Sequence, residues 1–165
     1  LLRRTPSVTI ADVLVGQVHD RTADSVRLDV TVHATARIAE TRKLELTICG
    51  VSATADCELA AGGNKLELSL EISSPVLWWP AGHGDPVLHQ LQVGLGEAST
   101  SRRIGLRDIR LISDLDDVGR RFALEVNGEE VYCRGANWIP ADALPGEGGV
   151  VVTLAGSLAD GLEAK

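Results

Sequence analysis

The chain has 165 residues and about 17.5 kDa, enough for one full domain and part of a second. Sixteen Lys and Arg stand against 23 Asp and Glu, a formal charge of −7, which argues against a sequence-independent grip on nucleic-acid phosphates or anionic lipid. The 44% apolar content comes in short runs that never approach the ~18 residues of a membrane span, so disordered and membrane-helical classes are excluded.

Methionine is absent, and the chain opens Leu1-Leu2-Arg3-Arg4 with no apolar signal segment or cleavage site, as expected of a piece of a longer polypeptide. From Val8 to Ile112 one pattern recurs: apolar residues at every second position, broken by Gly, Asp, Asn, Ser or Pro. Strands are predicted over Val8 to Val18, around Val26 to Val32, around Leu44 to Ile48, and over Val51 to Glu58. Others follow around Leu66 to Ile72, around Leu91 to Leu95, and over Ser101 to Ile112. Turn signals fall at His19-Asp20, Gly62-Gly63-Asn64 and Ala81 to Pro86. Seven strands without a helix, in about 110 residues, predict an all-β, immunoglobulin-like antiparallel sandwich over 1–112. The Cys…Trp…Cys spacing of antibody domains is absent, so only the architecture is implied.

Ser113 to Gly119 is polar and acidic, and a boundary is predicted there. Next, Asn127-Gly128 suits a two-residue type I′ hairpin turn, whose central residues both need positive φ. The register then pairs Val126 with Glu129, Leu124 with Val131 and Phe122 with Cys133, giving one apolar face and one solvated face with Glu125 opposite Glu130. A lone two-stranded ribbon is marginal in water, so that apolar face calls for a partner domain. Beyond Pro145, Val150 to Val152 favour extended chain, and Leu154, Leu158 and Leu162 sit at helical spacing weakened by Gly156 and Gly161.

Cys49, Cys57 and Cys133 form no CxxC pair, and no disulfide framework or metal site is expected. Cys49 and Cys57 could meet across a turn; reduced, partly buried thiols are the favoured reading and suit a cytoplasmic location. His19, His33, His83 and His89 show no ligand spacing. The arginines Arg102, Arg103, Arg107, Arg110, Arg120 and Arg121 read either as a solvated face paired with Asp114, Asp116 and Asp117 or as a contact surface for a missing domain.

All five aromatic residues lie between Trp78 and Trp138. Leu77-Trp78-Trp79-Pro80, followed by Gly82, Gly84 and Pro86, reads as a packed corner or, less readily, as a sugar-stacking platform. Gly135-Ala136-Asn137-Trp138-Ile139-Pro140-Ala141-Asp142 gathers an amide, an indole and a carboxylate directly after a strand, where barrel enzymes place their sites; a capped helix start is an equal reading.

These two motifs, with Arg103-Ile104-Gly105-Leu106-Arg107, Phe122 and Val126-Asn127-Gly128 in order between them, resemble the β-mannosidases of glycoside hydrolase family 2 over roughly residues 75 to 145. The resemblance implies that 1–112 is the immunoglobulin-like domain preceding a (β/α)8 barrel. Residues 113–165 would then be the covering hairpin and the first strand and helix of that barrel, left incomplete. It further implies a parent enzyme that removes terminal non-reducing β-mannose with retention, using two glutamates that lie beyond Lys165. No catalytic residue, metal or cofactor is expected in this chain. Asn137, Trp138 and Asp142 are the candidate substrate-binding residues, shaping the sugar pocket. The implied partners are the remaining barrel and, in the parent, a β-mannoside. His89 and His83 depart from the family by standing where aromatic residues are usual. Two other readings stay open: a freestanding carbohydrate- or protein-binding sandwich using Trp78 and Trp79, and a family 2 hydrolase of another sugar specificity.

Overall fold

The computed structural model describes residues 6–115 and 117–133. Every regular element in them is a strand: β1 (Val8–Asp20), β2 (Ser25–Ala36), β3 (Glu40–Ile48), β4 (Val51–Leu59), β5 (Gly62–Ser73), β6 (His89–Leu95), β7 (Ala98–Ile104), β8 (Ile109–Ile112), β9 (Ala123–Val126) and β10 (Glu129–Val131). The contact pattern separates two compact units. One comprises the residues up to Trp78 with Val87–Asp108; the other takes Trp79–Pro86 and the described residues from Ile109 onward.

The first unit is the predicted antiparallel sandwich. Its sheets have the strand orders β1-β2-β5 and β4-β3-β6-β7, so the chain changes sheet between β2 and β3, β4 and β5, and β5 and β6. The alternation in the sequence is the cause. Val26, Leu28, Val30 and Val32 of β2 point inward against Leu44, Leu46 and Ile48 of β3 and Leu91, Val93 and Leu95 of β6, all essentially without exposure. The core is aliphatic throughout, and the loop residue Leu106 closes it.

In β1 the apolar parity changes, since Val8 and Ile10 are even-numbered whereas Val13 and Val15 are odd. A bulge between Ile10 and Asp12 inserts one extra residue, which keeps both pairs on the inward face. It also aims the Asp12 carboxylate at the Arg102 guanidinium of β7, tying the edges of the two sheets. At the opposite rim β4 lies beside β5.

The β1–β2 turn lies later than the sequence reading put it, whereas the β3–β4 turn falls between the two strands that reading separated. The β1–β2 connection runs through Arg21–Asp24, capped by Asp20 Oδ1 accepting from the amides of Thr22 and Ala23 at 2.9 and 3.0 Å. The β3–β4 hairpin turns at Cys49-Gly50, both with positive φ (52° and 76°), between the paired residues Ile48 and Val51. Cys57 lies well along β4 opposite Arg42, so Cys49 and Cys57 do not meet; both are free thiols, as is Cys133.

The strand expected over Ser101 to Ile112 is two strands. It breaks after Ile104, and Ile109–Ile112 leaves the sandwich sheets to pair with β9 in a separate sheet of order β10-β9-β8. The ribbon turns at Asn127-Gly128 (φ 51° and 90°), with Glu129 opposite Val126, Glu130 opposite Glu125 and Val131 opposite Leu124. The ladder stops there; Phe122 and Cys133 lie outside it and are exposed. The expected barrel start, from Gly135 onward, lies outside the described residues.

Candidate functional site

The tryptophan pair is a seated corner. Trp78 N donates to Leu106 O at 2.9 Å, and a Cβ on Gly105 would stand 2.9 Å from both Cβ and Cγ of Trp78. The Arg107 guanidinium carbon lies 4.3 Å from the Trp78 ring centroid, a cation–π distance that occupies one face of the indole. The Arg103 to Arg107 motif is thus explained locally: Gly105 lets the chain approach the indole, Leu106 enters the core, and Arg107 covers the ring.

In the second unit, Trp79 N donates to Asp85 O at 3.0 Å and His83 N to Pro80 O at 3.1 Å, closing the Trp79–Pro86 turn. A Cβ on Gly84 would approach the Trp79 side chain to 2.9 Å. Both tryptophans are half-buried, and their neighbouring glycines serve packing. A free stacking platform would instead present open indole faces. His89, on β6, hydrogen-bonds Val76 O at 2.7 Å through Nε2.

The β8–β10 sheet has two unlike faces. Ile109, Leu111, Leu124, Val126 and Val131 share one, by the register of the three strands. Val126 is buried, but Ile109 and Leu111 remain 49% and 54% exposed. On the other face Arg110 stands opposite Glu125, and Glu130 forms an ion pair with Arg121. Of the six arginines, Arg102 pairs with Asp12, Arg107 with the Trp78 ring and Arg121 with Glu130, while Arg120 donates to Ser113 O at 2.9 Å and the Arg121 amide to Asp114 O at 2.8 Å; Asp116, one of the expected partners, lies outside the described residues.

A feature absent from the sequence reading is a polar cluster at the end of β1. Gln17 Nε2 donates to Gly105 O at 3.0 Å, while Gln17 Oε1 accepts from Arg107 N at 3.1 Å. His19 Nε2 lies 3.2 Å from the same oxygen, and burial lowers the His19 pKa below its usual value, Asp108 and the Arg107 backbone opposing that shift. Only the parity of Gln17 and His19, which continue the inward face of Val13 and Val15, could have signalled it.

Among the described residues no three His, Cys, Asp or Glu side chains gather as a metal-ligand set, and no helix is long and apolar enough to cross a membrane. Asn137, Trp138 and Asp142 lie outside the described residues.

Comparison with known proteins bears on this arrangement. Over 83 residues the chain is 40% identical to Beta-mannosidase B of Aspergillus flavus, which covers 47% of this chain and 10% of that protein. The longer match to Beta-mannosidase B of Aspergillus niger is 29% identical over 137 residues, 72% of this chain and 16% of the relative. The chain thus spans between a tenth and a sixth of these relatives. In fold it is similar to the β-D-mannosidase of Dictyoglomus thermophilum, with TM-score 0.72 and 24% identity over 82% of this chain and 18% of that one. The exo-chitosanase of Amycolatopsis orientalis aligns with TM-score 0.65 and 23% identity, over 84% of this chain and 17% of the enzyme. The profile of the Glycosyl hydrolases family 2 matches residues 8–107, which span the sandwich from the start of β1 through Arg107. The chain therefore belongs to glycosyl hydrolases family 2.

Proposed function

We propose that this chain is the non-catalytic, supporting portion of a retaining β-mannosidase, with residues 1–112 as the sandwich and 113–165 as the hairpin and entry to a (β/α)8 barrel. The observation that carries the reading is the 40% identity over 83 residues to a protein named Beta-mannosidase B. Retaining chemistry needs two carboxyls about 5 Å apart across the glycosidic bond, and the family resemblance assigns both to strands of the barrel later than the first. The half-exposed apolar face of β8–β10 suits an architectural role, because a face of that kind gains stability when covered by further chain.

In this reading Asn137, Trp138 and Asp142 shape the sugar pocket without transferring protons, and the natural substrate is a β-mannoside. Fold neighbours described as exo-chitosanase, β-galactosidase and β-glucuronidase show that one architecture accompanies several specificities, so specificity is tested directly. The chain alone releases no 4-nitrophenol from 4-nitrophenyl β-mannoside, while the full-length protein containing it does so in preference to the galactoside and glucuronide. Turnover by the chain alone overturns the supporting role; preference for another glycoside overturns the mannosidase assignment.

A further inference from the structure

The turn at Asn127-Gly128 brings together a side-chain amide and an unshielded backbone nitrogen. Asn127 is half-buried and Gly128 exposed; the closing pair of the ladder is Val126 with Glu129, so the Gly128 amide lies in the turn, outside the ladder. Gly128 has no Cβ to screen its nitrogen from the side chain that precedes it. The turn is held from one side by β10, an edge strand of three residues with three pairs to β9, and so short a ribbon opens locally at low cost. Asn64 is the contrasting case. Its Oδ1 accepts from Ala60 N at 2.9 Å, and its Nδ2 donates to Ala60 O and Gly62 O at 2.9 and 3.0 Å. It also pairs with Ala34 of β2, and the residue after it is Lys65.

We propose that Asn127 is a site of spontaneous deamidation, with the Gly128 backbone as nucleophile and the β9–β10 ribbon as the structure it alters. When β10 opens, the Gly128 nitrogen gives up its proton and attacks Asn127 Cγ, closing a five-membered succinimide; Nδ2 takes up a proton and leaves as ammonia. Water then adds to one of the two ring carbonyls. Cleavage of the new N–Cγ bond yields aspartate, and cleavage of the original N–C bond yields isoaspartate. Aspartate suits the same turn, because Asp-Gly favours the type I′ geometry as Asn-Gly does. Isoaspartate does not: it routes the chain through Cβ and Cγ and adds a methylene to a two-residue turn. Its free carboxylate also stands on a ribbon where Glu125 already faces Glu130 and Glu129 follows Gly128. Isoaspartate formation therefore unpairs β10 from β9 and breaks up the apolar face that Val131 shares with Leu124. The inference stands on the ribbon alone and does not rest on the proposed enzymatic role.

Incubation of the 165-residue chain at pH 7.5 and 37 °C, followed by peptide mapping with mass spectrometry and enzymatic labelling of isoaspartate, tests it. Asn127 converts on the order of tenfold or more faster than Asn64, a ratio set by the difference in local opening, and isoaspartate is the main product. Asn127→Gln, which would have to close a six-membered ring, stays unconverted over the same period. Amide exchange followed by NMR reads the structural effect. In the isoaspartate form the Glu129 amide exchanges on the order of tenfold faster than in fresh protein, while Val30 in β2 keeps its protection. Freshly prepared Asn127→Asp matches the fresh wild type at both positions. Conversion at Asn127 no faster than at Asn64, or an isoaspartate form with unchanged Glu129 protection, overturns the proposal.

Discussion

A Cβ built on Gly105 would meet Trp78 Cβ and Cγ at 2.9 Å, atoms too close to the backbone to swing aside. Gly105→Ala is therefore expected to destabilise the sandwich by about 1–3 kcal/mol, read as a lower urea midpoint with an unchanged m value. Cys49 presents the opposite case, a residue less suited to its conformation than another would be. Its φ of 52° at the first central position of a two-residue hairpin strains an ordinary side chain, whereas asparagine tolerates it. Cys49→Asn should raise stability by roughly 0.5–1 kcal/mol, measured in the same urea titration. The two turns also show why the geometry of one hairpin was legible, whereas that of the other reads only as a gap between two strands. Asn127-Gly128 announces a type I′ turn chemically; Cys49-Gly50 announces only its glycine, and the pairing of Ile48 with Val51 imposes the rest.

Strand β8 is short, at the edge of its sheet, and places Ile109 and Leu111 half-exposed on the same face as Leu124 and Val131. Such a face favours self-association unless covered. Leu111→Lys is expected to weaken concentration-dependent association in sedimentation velocity and to lower binding of an apolar dye such as ANS, leaving the sandwich transition in place. The alternation of β2, β3, β5 and β6 made those strands readable because each buries one complete face. The break after Ile104 was hidden for the same reason: Ile104, Leu106, Ile109, Leu111 and Ile112 read as one apolar run. Only the seating of Leu106 in the core and of Gly105 against Trp78 separates β7 from β8.

At the level of the whole molecule, the two compact units differ in how much core they carry. The sandwich encloses one continuous aliphatic cluster, whereas the described residues of the second unit contribute Val126 as their buried apolar side chain. Arg120 and Arg121 are exposed between β8 and β9. Limited trypsin digestion, read by mass spectrometry, should cut at these arginines before Arg27 of β2, because Arg27 is paired with Val18 of β1 on one side and Glu71 of β5 on the other and must first leave its sheet. Strand periodicity, the Asn127-Gly128 turn and the Trp78-to-Trp138 order of motifs are local properties of the sequence, and they determined the all-β sandwich, the hairpin register and the family. The partners of Gln17 and His19, 88 and 90 residues distant in the case of Gln17, were decided by tertiary structure alone. The same holds for the pairing of Arg102 with Asp12 and the departure of β8 from the sandwich. A hydrogen bond or ion pair across such separations exists only after two sheets have packed, and no spacing along the chain encodes it.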